Sequence, residues 1–139
     1  MEKNQQELIF QLSMFEQQIQ QLQQQLQAVE QGLVELRSLN FGLDDVKKSE
    51  NKEIFAQIGR GIFIKAKVLS ENLIVNVGGK NFVQKSIPQT KELIEEQIKK
   101  LEEIKKELSN NLEEISMELD KTMLEAQKQE KEKVSNTTK

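Results

Sequence analysis

The N-terminal third of the chain is built on an unbroken heptad pattern of apolar residues. From Leu8 onward these residues recur in steps of four and three. Heptad position a falls on Leu12, Ile19, Leu26 and Leu33, and position d on Leu8, Phe15, Leu22, Val29 and Leu36. A 3.5-residue repeat held over about four heptads is typical of a coiled coil. We therefore predict a coiled-coil helix over residues 1–43, ended by Gly42 and the Asp44-Asp45 pair.

A second heptad pattern runs through the C-terminal third. Its apolar seam consists of Ile94, Ile98, Leu101, Leu108, Leu112, Ile115, Leu119, Thr122 and Ala126. Lys105 interrupts this seam at an a position, and we expect its neighbour Ile104 to take over the apolar role. Pro88 suits the first turn of a helix, where its missing N–H matters least. The pattern predicts a second coiled-coil helix over residues 89–131 and a polar tail over 132–139, with fraying from Lys128 onward.

Between the two heptad regions the apolar period changes to two, which indicates β-strands. Ile62, Ile64, Ala66 and Val68 form the predicted buried face of one strand, and Leu73, Val75 and Val77 that of the next. The stretches 59–61 and 78–81 contain the glycines that tight hairpin turns need. Residues 44–88 are therefore predicted to form a connector and two β-hairpins.

The predicted architecture is mainly α, an antiparallel coiled-coil hairpin with the two β-hairpins between its helices. It places Phe15 near Ile115 and Leu22 near Leu108, with both chain ends at one tip. Two hairpins alone are marginally stable in water, and their free edges invite pairing with other strands. We expect the β block to assemble with other chains into a β-barrel platform. The residues predicted to mediate this oligomerisation are Ile58, Ile62, Phe63, Ile64, Val68, Leu73, Val75, Val77, Phe82 and Val83.

Position f of a heptad faces away from the partner helix and is normally polar. In this chain the apolar f residues, Phe10, Met117 and Leu124, occur only near the termini. An exposed apolar patch at one end of a coiled coil indicates an interaction surface, and methionine suits partners of variable shape. Alternatively, these residues cap the coiled coil or pack on neighbouring chains. The tip residues predicted to bind a partner are Leu8, Ile9, Phe10, Leu12, Met14, Phe15, Met117, Leu119, Met123 and Leu124.

Composition narrows the possible functions. The chain has no cysteine and no histidine, which excludes disulfides, thiolate chemistry, the usual zinc sites and histidine-based catalysis. Its net charge of −3 removes the usual electrostatic basis for binding nucleic acid. No apolar run approaches the roughly 18 residues of a membrane span, and the first residues do not resemble a signal peptide. We expect a cytoplasmic protein that is not an enzyme and has no cofactor, metal, nucleic-acid or membrane partner.

The β block resembles that of alpha-class prefoldin subunits of the archaeal type. Residues 59–66, Gly-Arg-Gly-Ile-Phe-Ile-Lys-Ala, are similar to the family's Gly-x-Gly-x-Phe-x-Lys-Ala-like strand. Residues 75–79 and 82–85 resemble the family's Val-x-Val-Gly strand and the following hairpin arm. Gln57 departs from the proline that the family often has before an apolar-glycine pair. Two hairpins favour the alpha class over the one-hairpin beta class.

The resemblance implies an ATP-independent co-chaperone, or holdase. Two alpha-class and four beta-class subunits would join their hairpins into a platform with six coiled-coil arms. The arm tips would capture unfolded client polypeptides and deliver them to a group II chaperonin. The other hypothesis is a structural coiled-coil tether or adaptor with a β assembly module and one dedicated partner.

Overall fold

The structure, a computed structural model, describes the backbone of residues 2–137 and the side chains of residues 5–132. Its elements in chain order are α1 (Glu2–Val46), β1 (Glu53–Gly59), β2 (Ile62–Lys67), β3 (Leu73–Gly78), β4 (Asn81–Lys85) and α2 (Ile87–Thr137). Strands β1 and β2 form one antiparallel two-stranded sheet, and β3 and β4 form another. The predicted fold class, two long helices with two β-hairpins between them, is confirmed.

The heptad patterns predict the buried side of each helix correctly. Every seam residue predicted for α1 is buried or half-buried, and so is every seam residue predicted for α2. The α1 seam continues beyond Leu36 through Asn40 at position a and Leu43 at position d. The apolar repeat therefore determines which side of each helix is packed, as the burial of apolar area requires.

Helix α1 is longer than predicted, because Gly42 and the two aspartates do not end it. Leu43 is only 7% exposed and forms a small core with Ile87 and Ile94, and Val46 packs against the same core. Burying these two side chains requires helical backbone through Val46. Lys48, with φ of 61°, then takes the left-handed conformation in which helices commonly terminate.

Helix α2 is also longer than predicted at both ends. Ser86 and Gln89 form a reciprocal capping box: the Gln89 N–H donates to Ser86 Oγ at 3.2 Å, and the Ser86 N–H donates to Gln89 Oε1 at 3.1 Å. The helix therefore starts at Ile87 and carries Pro88 within its first turn. At the other end it runs to Thr137, so the helix extends into the stretch predicted as a polar tail. Lys, Glu and Gln dominate this stretch, and all three are good helix formers. Residues 138 and 139 lie outside the described part of the chain.

The chain forms two compact units, and the first consists of Met1–Gln31 and Glu102–Lys139. In this unit α1 and α2 run antiparallel, and Glu30 Oε1 lies 3.8 Å from Lys105 Nζ. Leu22 lies beside Ile115, where the sequence predicts Leu108. The predicted register, including the pairing of Phe15 with Ile115, is therefore wrong. Leu108 and Ile115 are both d residues, and a shift by one whole heptad keeps the same seam, so the repeat alone does not fix the alignment of the helices.

Lys105 stays in the seam of this unit, contrary to the expectation that Ile104 replaces it. Ile104 is exposed, whereas Lys105 is half-buried as a residue; its side chain keeps 43% of its surface accessible and directs its ammonium group to Glu30. The aliphatic part of a lysine can cover apolar surface while its charged end reaches solvent. A lysine can thus occupy an a position without a shift of the helix.

The second unit, Gly32–Leu101, contains the hairpins and the adjoining helix segments. Leu73 at the start of β3 packs against the core of Leu43, Ile87 and Ile94. Lys91 donates to Asp44 Oδ1 between the two helices. Gly32, at a heptad g position, faces Leu101: a Cβ added there would lie 3.4 Å from Leu101 Cδ1.

None of the helices in the described part of the chain is both long and apolar enough to cross a membrane.

Candidate functional site

The two β-hairpins are built in the same way. Arg60 and Gly61 form the first two-residue turn, and Gly79 and Lys80 form the second, all with positive φ between 44° and 77°. Two positive φ values are the signature of the type I′ turn, whose twist matches that of antiparallel strands. The register shifts two residues before each turn, at Ile58 and at Val77. The predicted turn positions are confirmed, and each strand pair also carries a bulge.

The pairing register gives the first hairpin two different faces. Paired residues lie on the same side of a sheet and successive residues alternate sides. Pairing of Ile54 with Ala66 and of Ala56 with Ile64 makes one face wholly apolar. We call this the apolar hairpin face; it consists of Ile54, Ala56, Ile62, Ile64 and Ala66. The opposite face mixes Phe55 and Phe63 with Glu53, Gln57, Lys65 and Lys67.

The apolar side chains of both hairpins remain largely open. Seven of the ten predicted oligomerisation residues are exposed large apolar side chains: Ile58, Ile62, Phe63, Ile64, Val77, Phe82 and Val83. The other three, Val68, Leu73 and Val75, are half-buried. The predicted buried strand faces are therefore only partly buried within one chain. A two-stranded sheet has no second layer to cover it, so burial of these faces requires another surface.

Each strand in the described part of the chain has one paired edge and one open edge, because neither sheet has a third strand. The segment before β1 extends the pairing of the first hairpin. The Asn51 N–H donates to the Val68 carbonyl at 2.7 Å, and the Val68 N–H donates to the Lys52 carbonyl at 3.0 Å. Lys48 N–H donates to the Glu71 carboxylate before β3. Hydrogen bonds from residues 48–52 thus hold the bases of the hairpins, while the outer edges of their strands remain unpaired within the described chain. Open edges are templates for pairing with further strands.

The ten tip residues predicted to bind a partner fall into two groups. Leu8 is 8% exposed, and Leu12, Phe15 and Leu119 are half-buried in the helix seam. These four residues pack in the seam between the helices, and their role in binding a partner stays a prediction. The remaining six are exposed, from Met14 at 44% to Phe10 at 65%. We call them the terminal patch: Ile9, Phe10, Met14, Met117, Met123 and Leu124.

Antiparallel pairing brings members of the terminal patch on different helices together. In an antiparallel coiled coil the e positions of both helices border the same groove, and Ile9 and Met123 are both e residues. A groove in the first unit is lined by both of them together with Leu12 and Ala126. Its polar lining consists of Gln5, Gln127 and Glu130. We call this the terminal groove; Phe10 and Leu124 follow its two e residues in the chain.

Sequence reasoning missed several exposed apolar residues of the second unit. Phe41 is 78% exposed, and Val34, seven residues earlier, occupies the same heptad position b. Leu39 and Leu69 are exposed as well. Phe41 and Val34 could be found from the sequence, because position b, like position f, faces away from the partner helix and is normally polar. The buried polar atom Asn40 Oδ1, which has no hydrogen-bond partner, was also missed.

Helix, two β-hairpins and helix, with an exposed β block and a patch of apolar residues near the chain ends, define a coiled-coil subunit with an assembly module. The sequence matches the family model for the prefoldin subunit over residues 15–132, most of the chain. The chain therefore belongs to the prefoldin family. The resemblance to alpha-class subunits is confirmed by three curated proteins, each named prefoldin subunit alpha.

The relative from Methanobrevibacter smithii is 29% identical over 63% of this chain and 61% of its own length. That from Methanosphaera stadtmanae is 24% identical over 63% of this chain and 64% of its own length. That from Methanococcus aeolicus is 35% identical over 59% of this chain and 56% of its own length. The matched region thus spans less than two thirds of each relative. Among solved structures, a chain of filamentous PFD from Methanocaldococcus jannaschii, determined by cryo-EM, is 21% identical, with a TM-score of 0.49 over 90% of this chain and 99% of that chain.

Proposed function

We propose that this chain is a subunit of an ATP-independent holdase, which captures unfolded polypeptides at the terminal patch. The observation that carries the proposal is the group of six open apolar side chains on helices whose seam is otherwise packed. Phe10 and Leu124 occupy outward f positions, where a coiled coil needs no apolar residue. Open apolar surface of this kind is favourable only if a partner covers it.

The hairpins assemble this subunit with other prefoldin subunits. Their open edges accept further strands, and the apolar hairpin face becomes covered when the sheet closes on itself or on a second sheet. We propose a platform of two alpha-class and four beta-class subunits, with this chain in the alpha position. The complex is cytoplasmic and non-enzymatic.

Assembly into a complex raises the avidity for a client above the affinity of a single terminal patch. Each terminal patch is small, and binding several patches of one scaffold to the same client raises avidity by about 10²–10⁴-fold. A holdase acts by binding unfolded chains in preference to folded ones, which keeps their apolar surface from aggregating. Bound clients then pass to a group II chaperonin. Met14, Met117 and Met123 suit clients of unrelated sequence, because the thioether side chain adapts to the surface it meets.

The proposal is tested by light scattering of a denatured protein diluted into buffer without ATP. This chain is first co-expressed with a beta-class prefoldin subunit, and the complex is purified. We expect the complex to suppress aggregation of several unrelated proteins. If the complex assembles but scattering is unchanged for all of them, the holdase proposal is wrong. The helices then serve a dedicated partner, as in a tether.

The double variant Phe10→Ser and Leu124→Ser tests the patch directly. We expect it to assemble normally and to lose most of its suppression, because two exposed apolar side chains at outward f positions are removed. The matched control is Gln17→Ser with Asn110→Ser, at f positions of the same helices. Loss of the complex in the first variant would show that Phe10 and Leu124 are structural.

A further inference from the structure

The terminal groove has acidic surroundings as well as apolar walls. Glu130 lines the groove itself. Asp120 borders the adjoining cavity beside Met123, Leu124 and Gln127. On α1, Glu16 lies one heptad after Ile9 at the same e position. Three carboxylates therefore lie on the side of the helix pair that bears the groove.

Positive charge is scarce on the same side. Residues 5–36 of α1 contain four glutamates and no lysine or arginine, and amide side chains of glutamine make up most of the remaining polar surface. Among the side chains of residues 5–132, Lys131 is the cation on the groove side of α2, at an f position one heptad after Leu124. Lys121 and Lys128 occupy c positions, which lie beside f but on the opposite side of α2 from the e residues that border the groove. An incoming polypeptide therefore meets apolar side chains bordered by a net negative charge.

Resting on the proposed function, we infer that the terminal groove selects apolar client segments flanked by lysine or arginine over equally apolar segments flanked by aspartate or glutamate. Apolar contact with Ile9, Leu12 and Met123 supplies affinity that is independent of client charge. Lysine or arginine beside the bound segment lies near Asp120, Glu130 and Glu16, whereas acidic flanks meet like charge. Complementary charge around an apolar contact chooses between partners more than it adds to affinity.

The expected size of the selection follows from the exposure of the carboxylates. Exposed ion pairs are individually weak, so two or three of them give roughly a three- to tenfold preference at low salt. Exposed charges are screened beyond about 10 Å at 0.1 M salt. The preference should therefore decline steeply between low salt and 0.5 M salt, while the apolar part of binding persists.

The test uses the assembled complex and three fluorescent peptides that share one apolar core. The flanks are three lysines, three glutamines or three glutamates on each side, and binding is measured by fluorescence anisotropy. We expect affinity to fall in that order at low salt and to converge at 0.5 M salt. Equal affinity of the lysine- and glutamate-flanked peptides at low salt would overturn the inference and leave the proposed function standing. Failure to bind any of the three would instead overturn the proposed function.

A variant assigns the selection to this chain rather than to its partners in the complex. Asp120→Asn with Glu130→Gln removes two of the carboxylates and keeps the apolar walls. We expect this variant to bind the glutamine-flanked peptide as before and to lose part of the lysine preference. The control, Glu103→Gln with Glu107→Gln, removes two exposed carboxylates of α2 away from the groove. A preference unchanged in the first variant, or reduced equally in the control, would overturn the assignment to the groove.

Discussion

At the scale of single residues, the polar side chains within the helix seam are the informative ones. Lys105 occupies an a position without a local shift, because its ammonium group reaches Glu30 at 3.8 Å. Asn40 occupies another a position, and its Oδ1 is buried without a hydrogen-bond partner. A polar a residue commonly specifies the register of a coiled coil at some expense in stability. We therefore expect Asn40 to lower the stability of the helix pair, because its buried oxygen is unsatisfied.

Replacing Asn40 by leucine should stabilise the helix pair. The variant removes a buried unsatisfied oxygen, whose desolvation costs about 1–3 kcal/mol, and adds an apolar side chain to the seam. We expect a higher midpoint of thermal unfolding, followed by circular dichroism at 222 nm. The control Asn110→Leu, at an exposed f position, should change stability by less than about 0.5 kcal/mol. A lower midpoint for Asn40→Leu would show that the amide finds a partner in the assembled protein.

At the scale of the elements, the start of α2 depends on one local device. The Ser86–Gln89 capping box satisfies two backbone N–H groups, and the Thr90 hydroxyl also donates to the Ser86 carbonyl at 2.9 Å. Because the helix starts here, Ile87 enters the core with Leu43 and Ile94. The hydrogen bond from the Gln89 N–H to Ser86 Oγ, just after β4, thus favours a helix start that places Ile87 in the core.

Ser86→Ala should destabilise the chain by about 1 kcal/mol, the typical cost of losing an N-cap side chain. The Gln89 N–H loses its acceptor, and urea unfolding monitored by circular dichroism should show a lower midpoint with an unchanged slope. Ser109→Ala is the matched control, since Ser109 is exposed in the middle of α2. A midpoint for Ser86→Ala equal to that of the control would mean that Pro88 and the core alone determine where the helix starts.

At the scale of the whole molecule, the hairpins and the helix ends leave apolar surface open for different reasons. The hairpin faces are open because two strands cannot cover themselves. The terminal patch is open although the seam beneath it is packed. In the proposed complex, assembly would cover the hairpin faces and leave the terminal patch open, which is the arrangement that a multivalent holdase requires.

Ile64→Asp should prevent assembly with a beta-class subunit while leaving the helices intact. Ile64 lies on the apolar hairpin face, where a carboxylate covered by another subunit would be desolvated without a partner. We expect native mass spectrometry to show loss of the complex and circular dichroism to show unchanged helix content. Gln57→Asp adds the same charge to the opposite face of the same hairpin and should assemble. Normal assembly of both variants would exclude the apolar hairpin face as the contact surface.

Periodicity by itself determined which elements form and which side of each helix is packed. A 3.5-residue apolar repeat over many turns is compatible with few structures other than a coiled-coil helix. A two-residue apolar repeat that is interrupted by a glycine-containing turn is compatible with few structures other than a β-hairpin. The apolar periods predict the two strand pairs, their turns and the seam residues of both helices. Apolar residues at the outward f positions likewise pointed to the terminal patch.

Only the tertiary structure decided where the helices end, how they are aligned and which apolar residues stay open. The ends of α1 depend on the burial of Leu43 and Val46, a contact with residues some 40 positions away that local signals such as Gly42 do not report. Alignment is also left open by the repeat, because a shift by one heptad keeps the same seam; the observed alignment brings Ile9 and Met123 into one groove. The strand residues Ile62 and Ile64 alternate as a buried face should, yet both stay exposed, because burial depends on what lies opposite a side chain and nothing in the described chain covers this two-stranded sheet.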